Sequence, residues 1–331
     1  MSYITVMGAG SWGTTLACLL AEKEFDVSLW VYEKELAEEM KRTRVNSVYF
    51  PETPIPDNIA VAWDMEQALR NARYVVSVIP TQFMRRVLAQ AAHHIPPEAM
   101  IISASKGIEN DTYLTGSAII NQVTNRTAAV ISGPSFAKEV ARHLPTAVTL
   151  AAPDYENSLL LQEVFSTDNF RVYTHHDVIG VELGGALKNV MAIASGISDG
   201  MGLGNNARSA LITRALAEMS RLGVILGANE NTFSGLSGLG DLVLTCTSAI
   251  SRNYTVGYEL GQGERLTDII SKRKSVAEGV ATTKATQELA LKHNVDMPIV
   301  SEVYSVLYEN KDPRQAVTDL MNRTLKAEFH G

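Results

Sequence analysis

Three glycines at positions 8, 10 and 13, in ITVMGAGSWGTTLACLLAEKEFDVSLW, constrain the fold of this chain more than any other feature. The G-x-G-x-x-G spacing alone carries little, because glycine is common. Its surroundings carry more. Residues 4–7 form an apolar run of strand length, 14–23 read as a helix and 27–31 as a second strand. Strand, glycine turn, helix and strand make a βαβ unit in which each glycine has a task. Gly8 allows a tight turn, Gly10 lets backbone approach a pyrophosphate, and Gly13 lets the helix pack on the strand. The free N–H groups and positive dipole end of the helix suit phosphates. A plain glycine turn in an ordinary α/β protein would explain less of this arrangement.

A chain of 331 residues is long for a single core. Two domains are expected, a dinucleotide-binding one over 1–177 and a helical one over 178–331. With 46% hydrophobic and 20% charged residues, the composition is that of a globular protein. A net charge of -7 argues against nucleic acid as a partner but leaves room for an anion in a locally basic cleft. Cys18 and Cys246 lie in apolar-rich stretches far apart in sequence, with no spacing of a disulfide framework or zinc site. No apolar run reads as a signal peptide or membrane span, so a cytoplasmic protein without stable membrane insertion is expected.

Up to about residue 175, strand-like runs (74–79, 100–104, 128–131, 147–150, 170–173) alternate with helical ones (65–71, 83–93, 113–123, 136–142, 155–165). That order implies a mostly parallel sheet covered on both faces. The proline-rich stretch 50–58, FPETPIPDN, reads as a loop. Beyond 177 only helical periodicity remains, at 178–197, 206–222, 249–262, 282–292 and 299–309. The first of these, around 181–195, is expected to bridge the halves.

Three segments look costly unless they serve chemistry. Lys106, in SASKG, follows the end of a parallel strand, where open α/β sheets bind ligands; a solvated turn lysine is the plain alternative. Gly184 and Gly185 interrupt a helix at about 1 kcal/mol each, so something must approach closely there. Lys188 lies one turn beyond Gly184. Among small and apolar neighbours its pKa would drop towards a useful general-base range, unless its head snorkels to water. The third segment runs from Asp241, in GLGDLVLTC, to Ser251, Arg252 and Asn253. A carboxylate that can hold a lysine is followed by a hydroxyl, a guanidinium fork and an amide suited to phosphate. An N-cap serine followed by surface residues is the plain alternative. The pairs His93–His94 and His175–His176 should diverge and make poor joint metal ligands, and no metal is expected. Cys246, like Cys18, reads as a buried small hydrophobe.

The blocks GAGSWGTTLA (8–17), ASKGIE (104–109), ISGPSFAKE (131–139), GVELGGALKNVMAIASGISDG (180–200), NARSALITRALAEMSRLG (206–223), GLGDLVLTCTS (238–248), SRN (251–253) and VAEGVATTK (276–284) cover nearly the whole chain. In content and order they resemble bacterial NAD(P)-dependent glycerol-3-phosphate dehydrogenases. The resemblance implies an α/β fold: an N-terminal Rossmann-type parallel-sheet domain, then an all-helical C-terminal domain of the 6-phosphogluconate-dehydrogenase-like kind. It implies hydride transfer between NAD(P)H and C2 of dihydroxyacetone phosphate, giving sn-glycerol 3-phosphate for glycerophospholipid synthesis, commonly in a homodimer. By resemblance Lys188 is the proton acceptor, Lys106 meets substrate and cofactor, and Asp241 orients the substrate hydroxyl or Lys188. Gly133, Ser135, Ser251, Arg252 and Asn253 would shape or bind the substrate, with Arg252 on its phosphate. Gly8, Gly10, Ser11, Trp12, Gly13, Tyr32, Lys106, Ala137, Arg252, Val276 and Glu278 would line the dinucleotide. After the second strand, Glu33 would favour the ribose hydroxyls of NAD, whereas Lys34, Arg42 or Arg44 would hold a 2′-phosphate, so both cofactors are expected. A related β-hydroxyacid dehydrogenase would need a carboxylate site instead. A non-enzymatic NAD-binding sensor would keep the glycines without needing Lys106, Lys188 and Asp241 together.

Overall fold

The computed structural model describes residues 3–273, 276–325 and 327–328; the remainder of the expected domains 1–177 and 178–331 lies outside the described residues. Its strands are β1 (Tyr3–Met7), β2 (Asp26–Trp30), β3 (Val45–Asn46), β4 (Phe50–Pro54), β5 (Ile59–Ala62), β6 (Tyr74–Ser77), β7 (Met100–Ser103), β8 (Ala128–Ser132), β9 (Thr146–Ala151) and β10 (Phe170–His175). Eight form one sheet in the order β10-β9-β8-β7-β6-β1-β2-β5. All neighbours run parallel except β8 and β9. Short apolar strands suit this sheet because both faces are buried. Along β1, Ile4 and Val6 join one core while Met7 joins the other, as alternating side chains must. Val6 sits in register with Leu29 on one side and Val76 on the other. The chain reverses its direction of travel across the sheet around β1, and the crevice beyond the strand ends there is where such sheets bind ligands.

Two details differ from the sequence reading. The proline-rich stretch 50–58 is not all loop: β4 pairs antiparallel with β3 in a two-stranded ribbon, whose edges tolerate proline. Ile59–Ala62 then adds an edge strand beside β2, too short an apolar run to stand out in sequence. Helix limits also shift. The expected 113–123 helix is Gly116–Thr124, and 249–262 begins at Arg252, capped by Ser251. The short helices Asp241–Cys246, Leu266–Ser271 and Pro313–Met321 were not legible.

From residue 178 the described residues contain helices and turns only. The helix Val178–Gly200 is capped by Asp177, which accepts from the Gly180 N–H at 2.9 Å. Every residue from Gly180 to Ser198 is buried. A helix apolar on all sides belongs in a core, and this one is the core of the helical half. Near its start Val181 packs on Val130 of β8 and Ala151 of β9, so the same helix also rests on the sheet. Glu182 reinforces that junction, accepting from the Thr115 hydroxyl at 2.6 Å and the Ser117 N–H at 2.8 Å.

Candidate active site

The turn after β1 has the geometry its glycines require. Gly8 has φ +113°, and a Cβ there would lie 2.9 Å from the Val78 carbonyl oxygen. A Cβ on Gly13 would lie 1.8 Å from the Gly8 carbonyl oxygen, while Gly10 faces open space. Gly10 caps the helix Ser11–Glu22 with no side-chain acceptor, which leaves its first amides for an anion. Asn46 braces the turn by donating to the Ala9 carbonyl at 2.8 Å and to Thr14 Oγ1 at 2.9 Å. The Ser11 hydroxyl is already committed, donating to the Tyr49 carbonyl at 2.6 Å. Beside it the Trp12 indole N–H is buried without a protein partner. An orphaned donor, open helix amides and a collar that excludes side chains together fit a phosphate-bearing dinucleotide.

A cleft of about 620 Å³ runs from this turn to the helical half. Its walls include Ser11, Trp12, Tyr32, Lys106, Ser135 and Ala137 from the sheet side, and Lys188, Ser251, Arg252, Asn253, Val276 and Glu278 from the helical side. Gly133 and Asp241 stand behind that wall and hold it. The Lys106 ammonium meets Asp241 Oδ2 at 2.7 Å and donates to the Gly133 carbonyl at 2.8 Å. The Lys188 ammonium meets Asp241 Oδ1 at 3.2 Å and donates to Thr245 Oγ1 at 2.8 Å. Thr245 in turn donates to the Asp241 carbonyl at 2.6 Å.

Glycines in the long helix make this convergence possible. A Cβ on Gly184 would lie 2.5 Å from the Ser237 carbonyl oxygen, and one on Gly185 would lie 2.4 Å from Ser132 Oγ. The π-helical turn Leu236–Gly240 therefore docks directly on the helix and delivers Asp241, while the end of β8 docks on the other side. Asp241 is 1% exposed and Lys188 is 7% exposed. Burial, partly opposed by the Asp241 charge, lowers the Lys188 pKa to about 8. Burial by itself would push the Asp241 carboxyl up, but the two ammonium groups outweigh it and hold that carboxyl below its ordinary range.

The remaining site residues divide into those free to meet a ligand and those already engaged. Arg252 makes no ion pair or side-chain hydrogen bond among the described residues, so its guanidinium is available in the cleft. The Ser251 hydroxyl accepts from the Tyr254 N–H at 3.2 Å, the N-cap role that was the plain alternative. Ser135 donates to the Gly133 carbonyl at 2.9 Å. Asn253 donates to Asn189 Oδ1 at 2.8 Å and accepts from the Gly279 N–H at 3.0 Å; Asn189 donates to the Lys106 carbonyl at 3.1 Å. These amides tie Lys106 to the start of the helix Glu278–Lys292. The Glu278 carboxylate accepts from the Thr81 N–H at 2.9 Å, and burial pushes its pKa up. Sequence reasoning missed Asn189, Thr245 and Thr81. The first two lie inside segments already singled out, but nothing in the sequence around Thr81 marks it.

The histidine pairs correct one expectation. Their rings do not diverge: centroids lie 3.8 Å apart for His93–His94 and 5.0 Å apart for the stacked His175–His176. No group of three or more potential metal ligands exists among the described residues. Cys18 and Cys246 are buried free thiols, and burial pushes both to about 12.

Comparisons with known proteins bear on the family and the fold. The family model for the N-terminal part of NAD-dependent glycerol-3-phosphate dehydrogenase matches residues 3–158, and that for the C-terminal part matches 177–318. A relative from Citrifermentans bemidjiense, named glycerol-3-phosphate dehydrogenase [NAD(P)+], is 53% identical over 329 residues, covering 98% of each chain. One of the same name from Syntrophotalea carbinolica is 50% identical over 330 residues, covering 98% of this chain and 99% of its own. The crystal structure of glycerol-3-phosphate dehydrogenase from Coxiella burnetii superposes with a TM-score of 0.94 at 41% identity, covering 97% of this chain and 99% of that one.

Proposed function

This chain belongs to the NAD-dependent glycerol-3-phosphate dehydrogenase family, and from that premise we propose how its residues perform the reaction. The enzyme interconverts dihydroxyacetone phosphate and sn-glycerol 3-phosphate, the latter a precursor for glycerophospholipids, with NAD or NADP as redox partner. One observation carries the assignment of roles. Buried Lys188 and half-buried Lys106 share one buried carboxylate beside the cleft that also holds the glycine turn and Arg252.

Bound nicotinamide supplies the hydride in reduction and accepts it in oxidation. In reduction C2 of the ketone gains the hydride, its carbonyl electron pair moves onto oxygen, and the Lys188 ammonium delivers a proton to that oxygen. In oxidation neutral Lys188 takes the proton back. A lysine titrating at about 8 can fill both roles near neutrality. Lys106, fixed by Asp241 and the Gly133 carbonyl, adds positive charge where the oxyanion develops. Asp241 positions both ammonium groups, and the Arg252 fork grips the substrate phosphate. Ser135, Ser251 and Asn253 complete the substrate wall; Ser11, Trp12, Tyr32, Ala137, Val276 and Glu278 line the dinucleotide.

The same reading divides the chain into a dinucleotide-binding domain over 1–177 and a catalytic helical domain over 178–331. It takes the protein to be a cytoplasmic homodimer without membrane insertion. In support, Val178–Gly200 is long and apolar enough to span a bilayer, yet 89% of its most apolar window is buried in the protein. The test is NADH or NADPH consumption with dihydroxyacetone phosphate against a panel of other ketones. Lys188→Ala should abolish turnover while keeping nucleotide binding. Turnover equal to the parent's would remove Lys188 from the chemistry.

A further inference from the structure

Beyond β2, where an adenosine ribose would be read, the chain presents Tyr32-Glu33-Lys34. Glu33 is exposed at the cleft wall and held from behind: Tyr49 donates its hydroxyl to Glu33 Oε1 at 2.9 Å. Tyr49 is itself anchored through its carbonyl, which accepts from Ser11 in the phosphate-binding turn at 2.6 Å. Burial and the Glu33 carboxylate both push the Tyr49 phenol pKa up, so it remains a donor.

Of the cations that could answer a 2′-phosphate, Arg44, Lys34 and Lys138 are engaged elsewhere. Arg44 donates to the carbonyls of Ile55, Pro56 and Ile59 and approaches Asp57 at 3.7 Å. The Lys34 ammonium sits over the Trp63 ring at 4.6 Å. Lys138 pairs with Glu52 at 2.7 Å. Arg42 shares an exposed helix surface with Glu35, Glu38 and Glu39. Arg86 lines the cleft, but from the helix after β6, two strands away from β2 in the sheet.

We infer that Glu33, positioned by Tyr49, makes this enzyme select NADH over NADPH: the tethered carboxylate accepts from ribose hydroxyls and repels a 2′-phosphate. The inference rests on the proposed dehydrogenase reading and sharpens its choice of cofactor. The test is equilibrium binding of NADH and NADPH to the full chain by nucleotide fluorescence, repeated with 5′-AMP and 2′,5′-ADP by calorimetry. The wild type should bind NADH at least about tenfold more tightly, the scale of one unfavourable charge contact, and added salt should narrow the ratio.

Glu33→Gln should bring the ratio to within about threefold, chiefly by tightening NADPH. Tyr49→Phe should weaken NADH several-fold while kcat with saturating NADH stays near the parent value, a split that damage to the whole fold would not produce. Equal or tighter binding of NADPH by the wild type, or a ratio untouched by Glu33→Gln, overturns the inference while leaving the dehydrogenase reading intact. Binding of neither nucleotide would instead defeat the dehydrogenase reading itself.

Discussion

Replacing Asp241 by asparagine keeps the shape of the site and removes the carboxylate between its two lysines. Asp241 Oδ1 stands 3.2 Å from the Lys188 ammonium, and Oδ2 stands 2.7 Å from that of Lys106. With an effective dielectric constant of about 20, a unit charge pair at the Lys188 distance is worth about 5 kcal/mol. If relaxation and the amide dipole restore half of that, about 2.5 kcal/mol is lost, close to two pKa units. In the parent, reduction needs the ammonium form. Its kcat/KM therefore falls as pH rises through about 8, while that of oxidation climbs over the same range. In Asp241→Asn both limbs should move down by about two units. At pH near 7 the protonated fraction of Lys188 would drop from about nine-tenths to about one-tenth, so reduction slows about tenfold from this cause alone. The assay is NADH absorbance against dihydroxyacetone phosphate across pH at constant ionic strength. Breaking a buried pair also destabilises by about 3–5 kcal/mol, so a thermal melt and NADH binding must accompany it. A folded variant whose reduction limb stays at about 8 with parental turnover would refute the proposed electrostatics.

Arg252→Ala should raise KM for dihydroxyacetone phosphate by roughly 30-fold, the scale of a charge-assisted phosphate contact of about 2 kcal/mol. An unchanged KM in steady-state kinetics would put the phosphate elsewhere. Gly184→Ala places a Cβ 2.5 Å from the Ser237 carbonyl oxygen and should push the turn that leads into Asp241 off the helix. Overpacking of this kind costs about 1–3 kcal/mol. Turnover should fall well before nucleotide binding does, and parental kinetics together with a parental melt would contradict that. Glu218, which accepts from the Ile299 and Val300 N–H groups, is pushed up to about 7 by burial. A carboxyl whose folded pKa exceeds its unfolded one contributes stability in full below the unfolded value, and loses it as pH rises through the folded value. Urea unfolding should therefore show stability declining between about 4.5 and 7 by an amount on the order of 3 kcal/mol. Glu218→Gln should flatten that decline, and an identical slope in the variant would count against it.

The parts of the fold legible in sequence are those whose causes are local. The glycine turn could be read because its steric requirements involve neighbours only a few residues apart, as the 1.8 Å approach of a Gly13 Cβ to the Gly8 carbonyl illustrates. The alternation of short apolar runs with helical ones likewise announced a parallel sheet. The edge strand Ile59–Ala62 did not announce itself, because four residues after a proline-rich stretch carry no period, and only pairing with β2 makes them a strand. Gly184 and Gly185 signalled a close approach without saying by what. The answer, the Ser237 backbone and the Ser132 side chain, is decided by packing.

The candidate site divides in the same way. Lys106, Lys188, Asp241 and Arg252 were visible as chemically suited residues in motifs. Their relation was not, since Lys106 and Asp241 are 135 positions apart. Composition and local motif set the backbone turn, the strand and helix order and the supply of charged groups, because sterics and periodicity act along the chain. Which lysine meets which carboxylate, which arginine faces the cleft and which is used up on backbone carbonyls, and how far one ammonium's pKa drops were decided only in three dimensions. Coulomb and desolvation energies depend on distance and burial through space, and neither is written in the order of the residues.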